Sequence, residues 1–208
     1  MIYSLFKERV YGYLFFYKIS ESDSVNSLIY DIFEEFSRSD PYRCVYQEYA
    51  QPLDFMNKEP YVSFLNGSCG YFLVASTLGE EIDKRIYDLK IINSTKGAVF
   101  DACTNAWLEI RNDELRHTLY DNISYLFCPG YQGSDVSELK LILDELNGES
   151  IGITLSSSNE MYPKKSMAGI YAKGVSPQKK CGNCVKLSNC EFRKAGKLCF
   201  CLEKKYIV

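Results

Sequence analysis

Histidine is almost missing from this chain: one ring, His117, in 208 residues. A three-histidine zinc site and a two-histidine facial triad are thereby excluded. Any Ser-His-Asp or Cys-His arrangement would have to run through that one residue, and its charged helix-end setting shows no nucleophile or orienting acid. Excess charge of one sign is lacking too. Lys and Arg number 24 against 27 Asp and Glu, a net charge of −3, so the chain as a whole is no electrostatic trap for nucleic acid. No stretch is long and apolar enough to span a bilayer. The opening MIYSLFKERVYGYLFF is short, aromatic and interrupted by charges, and no small-residue cleavage site follows it, unlike a secretory signal. Internal repeats and low-complexity linkers are also absent. The expectation is a soluble, cytoplasmic protein that partners neither nucleic acid nor membrane.

What is present is an ordinary globular mixture, 46% hydrophobic and 25% charged. It is long enough to bury a core without disulfide staples. Cysteine is plentiful and odd in number, at nine. In a cytoplasmic chain these read as thiols or metal ligands rather than disulfides.

Along the chain, the aromatic run from Tyr11 to Ile19 predicts a strand, with room for a helical turn before it. Leu28, Ile29, Ile32, Phe33 and Phe36 form a helical stripe, with an N-cap among Ser22, Asp23 and Ser24 and a stop before Pro41. Segments 43–49, 61–65 and 71–76 look extended. Thr77-Leu78-Gly79-Glu80 has the pattern of a capping box, followed by Ile82, Ile86 and Leu89 on one helix face. A further helix is expected from about Lys96 to Leu119, burying Val99, Cys103, Trp107 and Ile110. Asp135 with Glu138 caps another, carrying Leu139, Ile142, Leu143 and Leu146 and stopped by Asn147-Gly148. The alternation of Ile151, Ile153 and Leu155 predicts a strand, and so does 167–172. Strands and helices come in groups, which favours an α+β fold over a doubly wound parallel sheet. Composition breaks near Lys173–Pro177, dividing a body, residues 1–175, from a Cys-rich tail, 176–208.

The tail carries Cys181, Cys184 and Cys190 in a C-x2-C-x5-C pattern, then Cys199 and Cys201. Two thiolates three positions apart grip one metal from a tight turn, and Cys181, Cys184, Cys190 and Cys199 are the candidate ligands of a zinc ion or an iron–sulfur cluster. A reduced Lys-rich tail and a redox disulfide are the alternatives. Cys44, Cys69, Cys103 and Cys128 lie in apolar surroundings and read as buried structural cysteines. Cys128-Pro129-Gly130-Tyr131-Gln132-Gly133 is a turn leading into a capped helix, and its glycines let a ligand approach the main chain. The connection around Ser156–Ser166 is long for a plain hairpin.

Taken in order, these segments resemble the C-terminal activation domain of cobalamin-dependent methionine synthase. They resemble more closely the shorter stand-alone bacterial proteins built from that domain. The quoted matches are Pro129-Gly130-Tyr131, Ile151-Gly152-Ile153-Thr154-Leu155-Ser156-Ser157-Ser158, Met161-Tyr162-Pro163 and Lys165-Ser166. Upstream stand Leu65, Gly67 and Cys69, then Ala75–Glu80 and Asp101-Ala102; downstream stands Cys190-Glu191-Phe192-Arg193. The resemblance runs from about Tyr11 to Arg193. It implies a C-shaped α+β domain with a central antiparallel sheet flanked by helices. It implies binding of S-adenosylmethionine and its presentation to a reduced cobalamin held by a partner, a cobalamin-binding methionine synthase or related corrinoid protein, with a flavodoxin-type electron donor. Residues implied at the ligand are Cys128, Pro129, Gly130 and Tyr131, with Met161, Tyr162, Pro163 and Ser166, and Glu109 facing the ligand's cationic end. No residue is assigned a catalytic role.

Two departures stand out. Leu126 occupies the place of the family's arginine, five residues before the loop tyrosine, which pairs the ligand's carboxylate. Loss of such a charged hydrogen bond weakens binding by about 1.5–3 kcal/mol. Ser157 replaces a family glutamate. The alternative reading is therefore a binding or redox module that kept the fold, lost S-adenosylmethionine, and acts on a corrinoid protein through its Cys tail.

Overall fold

A computed structural model describes residues 3–131 and 133–175, with Ser188 and Lys194 besides. The chain opens with helix α1 (Tyr3–Leu14), not the strand expected at 11–19. Tyr and Phe favour strands in general, but Phe6, Val10 and Leu14 recur every four residues and are fully buried. The tertiary core, not propensity, sets the period. Helix α2 (Asp23–Arg38) follows, with Ser22 accepting from the Val25 N–H as its N-cap.

Strand β1 (Arg43–Tyr49) is extended as expected, but 61–65 is not: it forms the short helix α3 (Tyr61–Leu65). Its Tyr61 and Leu65 lie one turn apart on a buried face. Strand β2 (Tyr71–Thr77) leads to helix α4 (Glu80–Ile92). The predicted capping box does not form. Thr77 is the last strand residue, its hydroxyl accepts from the Gly79 N–H at 3.0 Å, and Gly79 itself caps the helix at φ +87°. Helix α5 (Ser94–Leu119) is capped by Asn93, and α6 (Glu138–Glu145) follows the Pro-Gly-Tyr loop. The strand expected at 151–155 shrinks to a 3-10 turn (Gly148–Ile151) and the two-residue β3 (Thr154–Leu155), which pairs with β4 (Met161–Tyr162). Strand β5 (Ser166–Ala172) closes the body.

The architecture is α+β. The main sheet is antiparallel in the order β1-β2-β5, with Arg43 opposite Thr77 and Thr77 opposite Ser166. Every residue of β2 is buried, because both sheet faces are covered. Leu73, Ala75, Ala168 and Ile170 pack on one face with Leu139, Ile142 and Leu143 of α6. On the other face Phe72, Val74 and Tyr171 meet Leu115 and Leu119 of α5. A third core joins α1, α2, α4 and α5 around Trp107, whose ring lies 5.3–6.1 Å from Phe6, Phe33 and Phe36. Among the described residues no helix is long and apolar enough to cross a membrane.

The free edge of β5 positions the loop. Segment 123–127 runs antiparallel along it, with reciprocal 2.9 Å hydrogen bonds between Phe127 and Ile170. This close approach needs Gly169. A Cβ there would fall 2.3 Å from the Phe127 carbonyl oxygen. Gly169→Ala is therefore expected to lower the free energy of unfolding by about 3 kcal/mol, the upper range for forced overpacking. Denaturant unfolding followed by fluorescence of the sole tryptophan, Trp107, measures it. An unchanged midpoint would mean that the 123–127 segment moves off β5 freely.

Candidate functional site

Helix α5 carries a polar stripe beside its buried residues. Asp101, Asn105, Glu109 and Asp113 follow one another at intervals of four, with Asn112 and Arg116 beside them. Such spacing places them on one helix face. The helix α1 and its following turn lie antiparallel against this stripe and match it with Arg9, Tyr13 and Tyr17, also four apart. Arg9 pairs with Asp113 at 2.6 Å, Tyr13 donates to Glu109 at 2.5 Å, and Tyr17 donates to Asp101 at 2.7 Å.

Asp101 is the most enclosed of the stripe's carboxylates, at 7% exposure. Lys90 of α4 reaches it at 2.7 Å, and Lys165, just ahead of β5, pairs with it and also with Asn105 at 2.6 Å. Burial works to raise the Asp101 pKa. The hydrogen bonds from Lys165, Lys90 and Tyr17 outweigh burial and hold it below the ordinary carboxylate value. Burial and then the bond to Asp101 push the Tyr17 phenol up to about 12.

Further along α5 the stripe meets the loop. Tyr171 of β5, buried, donates to the Asn112 carbonyl at 3.2 Å. Burial raises its phenol pKa well above the usual range; Asp113 and Cys128 act in the same direction and Arg116 against it. Arg116 is buried over the Tyr125 ring at 4.6 Å.

The loop itself is built on backbone turns. Tyr131 N–H donates to Cys128 O at 3.3 Å, Ser134 N–H to Tyr131 O at 3.1 Å, and Gly130 N–H to the Ser134 hydroxyl at 3.1 Å. Gly130 sits at φ +88°, against Val136, where a side chain would be strained. Pro129 is buried and Tyr131 is 57% exposed. Cys128 keeps part of its surface in solvent, but its thiol is enclosed, and burial pushes it up to about 12. Beneath the loop, Glu138 is buried. It accepts from the Tyr61 hydroxyl and pairs with Lys58 at 2.7 Å. It thus ties α6 to α3 rather than serving as a cap.

The remaining expected residues divide. Leu126, in the place of the family's arginine, packs against Phe72, Val74 and Tyr171. Glu109 belongs to the stripe but is turned toward α1, where Arg9 stands at 3.6 Å. Met161 packs in the core on the α6 side of the sheet, the face opposite α5, while Tyr162 is half-exposed. Pro163 is buried. The Ser166 hydroxyl lies 2.6 Å from the Pro163 carbonyl and 2.9 Å from Thr77 Oγ1, where it closes the turn into β5. Of the cysteines expected to be buried, Cys103 is, Cys44 and Cys128 are partly covered, and Cys69 is exposed. Cys181, Cys184, Cys190 and Cys199 lie outside the described residues. A cavity of about 390 Å³ opens between α2 and α4, but its lining residues, Glu35 and Arg85 among them, include none from the loop or the stripe.

The fold is similar to that of a MetH reactivation domain. That domain, solved bound to AdoHcy, superposes with a TM-score of 0.57 over 85% of this chain and 73% of its own, at 14% identity. Identity so low speaks for the fold alone. The sequence matches no family model and no curated protein.

Sequence reasoning missed Arg9, Tyr13, Tyr17, Asp113 and Tyr171. The signal for part of this set was present: the four-residue recurrence from Asp101 to Asp113, echoed from Arg9 to Tyr17. Asp101 also generates a pH dependence. Because its folded pKa is depressed, its contribution is complete above the ordinary value of 3.8 and is lost as pH falls through the lower folded value. Asp101→Ala should cost about 3 kcal/mol at neutral pH by stranding Lys165. That deficit should shrink as the pH falls below 3.8 and through the lower folded value. Chemical denaturation across pH tests this, and equal stabilities at neutral pH would refute it.

Proposed function

We propose that the chain binds S-adenosylmethionine between the polar face of α5 and the Cys128–Tyr131 loop. It presents the ligand to a cobalamin carried by a partner corrinoid protein of the methionine synthase kind. The observation that carries this reading is the approach of α5 to the segment that leads into the loop, where Arg116 lies over the Tyr125 ring at 4.6 Å and Leu126 packs with Leu115 and Leu119. The similarity in fold to a domain solved with AdoHcy adds to it.

The chemistry of the stripe suits such a ligand. Its sulfonium and ammonium groups are cationic, and Glu109 and Asp113 supply carboxylates at helical spacing. Gly130 brings main-chain groups to the ligand without a side chain in the way. The cobalt of the partner would carry the methyl transfer and a flavodoxin-type donor its electron. The residues here bind and orient. Arg116 lies over the ring of Tyr125, one residue before Leu126.

The second reading, a module that has lost the ligand, draws on two observations. Leu126 is committed to apolar packing, and Glu109 is already held by Tyr13 and Arg9. Calorimetric titration of S-adenosylmethionine into anaerobically purified protein separates the two. A one-to-one isotherm, weakened about tenfold or more in Asp113→Asn, is the result expected for the first. No heat from the native chain but binding by Leu126→Arg would favour the second. Silence from both proteins would sink the ligand reading.

A further inference from the structure

Glu109 and Asp113 lie one turn apart on α5, and α1 meets both of them with a single cation. The Arg9 guanidinium stands astride the pair, with Nη2 2.6 Å from Asp113 Oδ2 and Nη1 3.6 Å from Glu109 Oε2. The other two oxygens are engaged as well. Tyr13 donates to Glu109 Oε1 at 2.5 Å, and Arg116 Nε lies 3.8 Å from Asp113 Oδ1. Each of the four carboxylate oxygens therefore already faces a donor or a cation. The side chains of Arg9 and Asp113 keep 19% and 21% of their surface in solvent, so this contact is covered but not sealed.

The contact belongs to the side chains and not to the helix that carries them. Phe6, Val10 and Leu14 of α1 are fully buried and anchor its backbone in the core that includes Trp107. Arg9 and Tyr13 reach α5 from that fixed backbone, four residues apart on one face. Arginine is long and has several rotatable bonds. Its guanidinium can leave Asp113 for water while its stem stays on the helix surface.

We infer that Arg9 is a built-in competitor for the ligand's cationic end, an autoinhibitory contact that must come off Asp113 and Glu109 before S-adenosylmethionine can engage them. The inference rests on the ligand reading proposed above and says what regulates that site. The guanidinium carries the same sign of charge as the sulfonium and ammonium groups of the ligand. Both would pair with the same oxygens, so one displaces the other. The affinity that is measured is then the intrinsic affinity reduced by the fraction of molecules in which Arg9 has swung away. Removing Arg9 also leaves Asp113 with a weaker cationic environment in the free protein, which a bound cation would restore.

Calorimetric titration of S-adenosylmethionine into the full chain and its variants tests this. Arg9→Met removes the competing charge and should bind about tenfold or more tightly than the native chain. Arg9→Met/Asp113→Asn should lose that gain, because the carboxylate released by the first change is gone. Structural damage weakens binding, so a gain in affinity separates competition from a merely structural role, and circular dichroism checks that each variant is folded. If Arg9→Met does not fold, Tyr13→Phe takes its place. It frees Glu109 alone, and the expected gain is about threefold. Binding by Arg9→Met where the native chain gives no heat would be the same result in its extreme form. Equal or weaker binding by the folded variant, with the native chain still binding, overturns the autoinhibitory role and leaves the ligand reading standing. So does a gain that persists in the double variant. No heat from the native chain and none from the variant sinks the ligand reading and the autoinhibition with it.

Discussion

A carboxylate withdrawn from water must be neutralised by something, and Asp101 organises half of this molecule by that requirement. Lys90 arrives from α4, Tyr17 from the turn after α1, and Lys165 from the approach to β5. None of these segments is a sequence neighbour of another. Their meeting fixes how the helical layer sits on the sheet. Removing either sign of charge would strand the other at low exposure, which is the strong effect in buried ion pairs. The pairing is hydrogen-bonded on every side, so it specifies geometry as well as contributing energy.

The same helix divides its two tasks by face. Val99, Cys103, Ala106 and Ile110 look into the core around Trp107. The polar stripe looks instead toward α1 and the end of β5. Much of the circumference of α5 is buried, and its inward Asp101, Thr104 and Asn112 each have hydrogen-bond partners. Asn112 donates to the Leu108 carbonyl and accepts from Ser76 and Tyr42. This arrangement of fixed groups suits the ligand-positioning role proposed above.

The loop is held by an unusual edge. Segment 123–127 lies along β5 at a distance only Gly169 permits. Leu126 and Phe127 then point to opposite faces, one to Tyr171 and the other to Tyr61 and Phe64. The Pro-Gly-Tyr turn emerges from this anchored strand and rests on the Tyr61–Glu138 bond. Its backbone groups are therefore presented from a fixed base rather than from a free loop. At the other end of β5 the chain passes Cys69 as it leaves the body, so one strand serves both the loop and the root of the tail.

The helices α2, α5 and α6 were legible because apolar residues recur at helical spacing, and the strands β1 and β2 because short aromatic or β-branched runs are bounded by Pro, Asn and Gly. The α+β class followed from their grouping. The loop Cys128–Tyr131 was legible from its Pro and Gly. The first helix was not, because Tyr and Phe carry a strand preference that only packing against Trp107 overrides. Nor was the role of Glu138, whose spacing from Asp135 reads as a cap while its actual partners, Tyr61 and Lys58, lie far away in sequence. The exposure of Cys69 was equally out of reach, since burial is a property of what the other segments cover. Sequence by itself determined the local periods, the turns and the inventory of charged and thiol groups. Tertiary structure alone decided which of those groups meet, because ion pairs such as Lys165–Asp101 and contacts such as Cys69–Gly174 join residues that no local pattern connects.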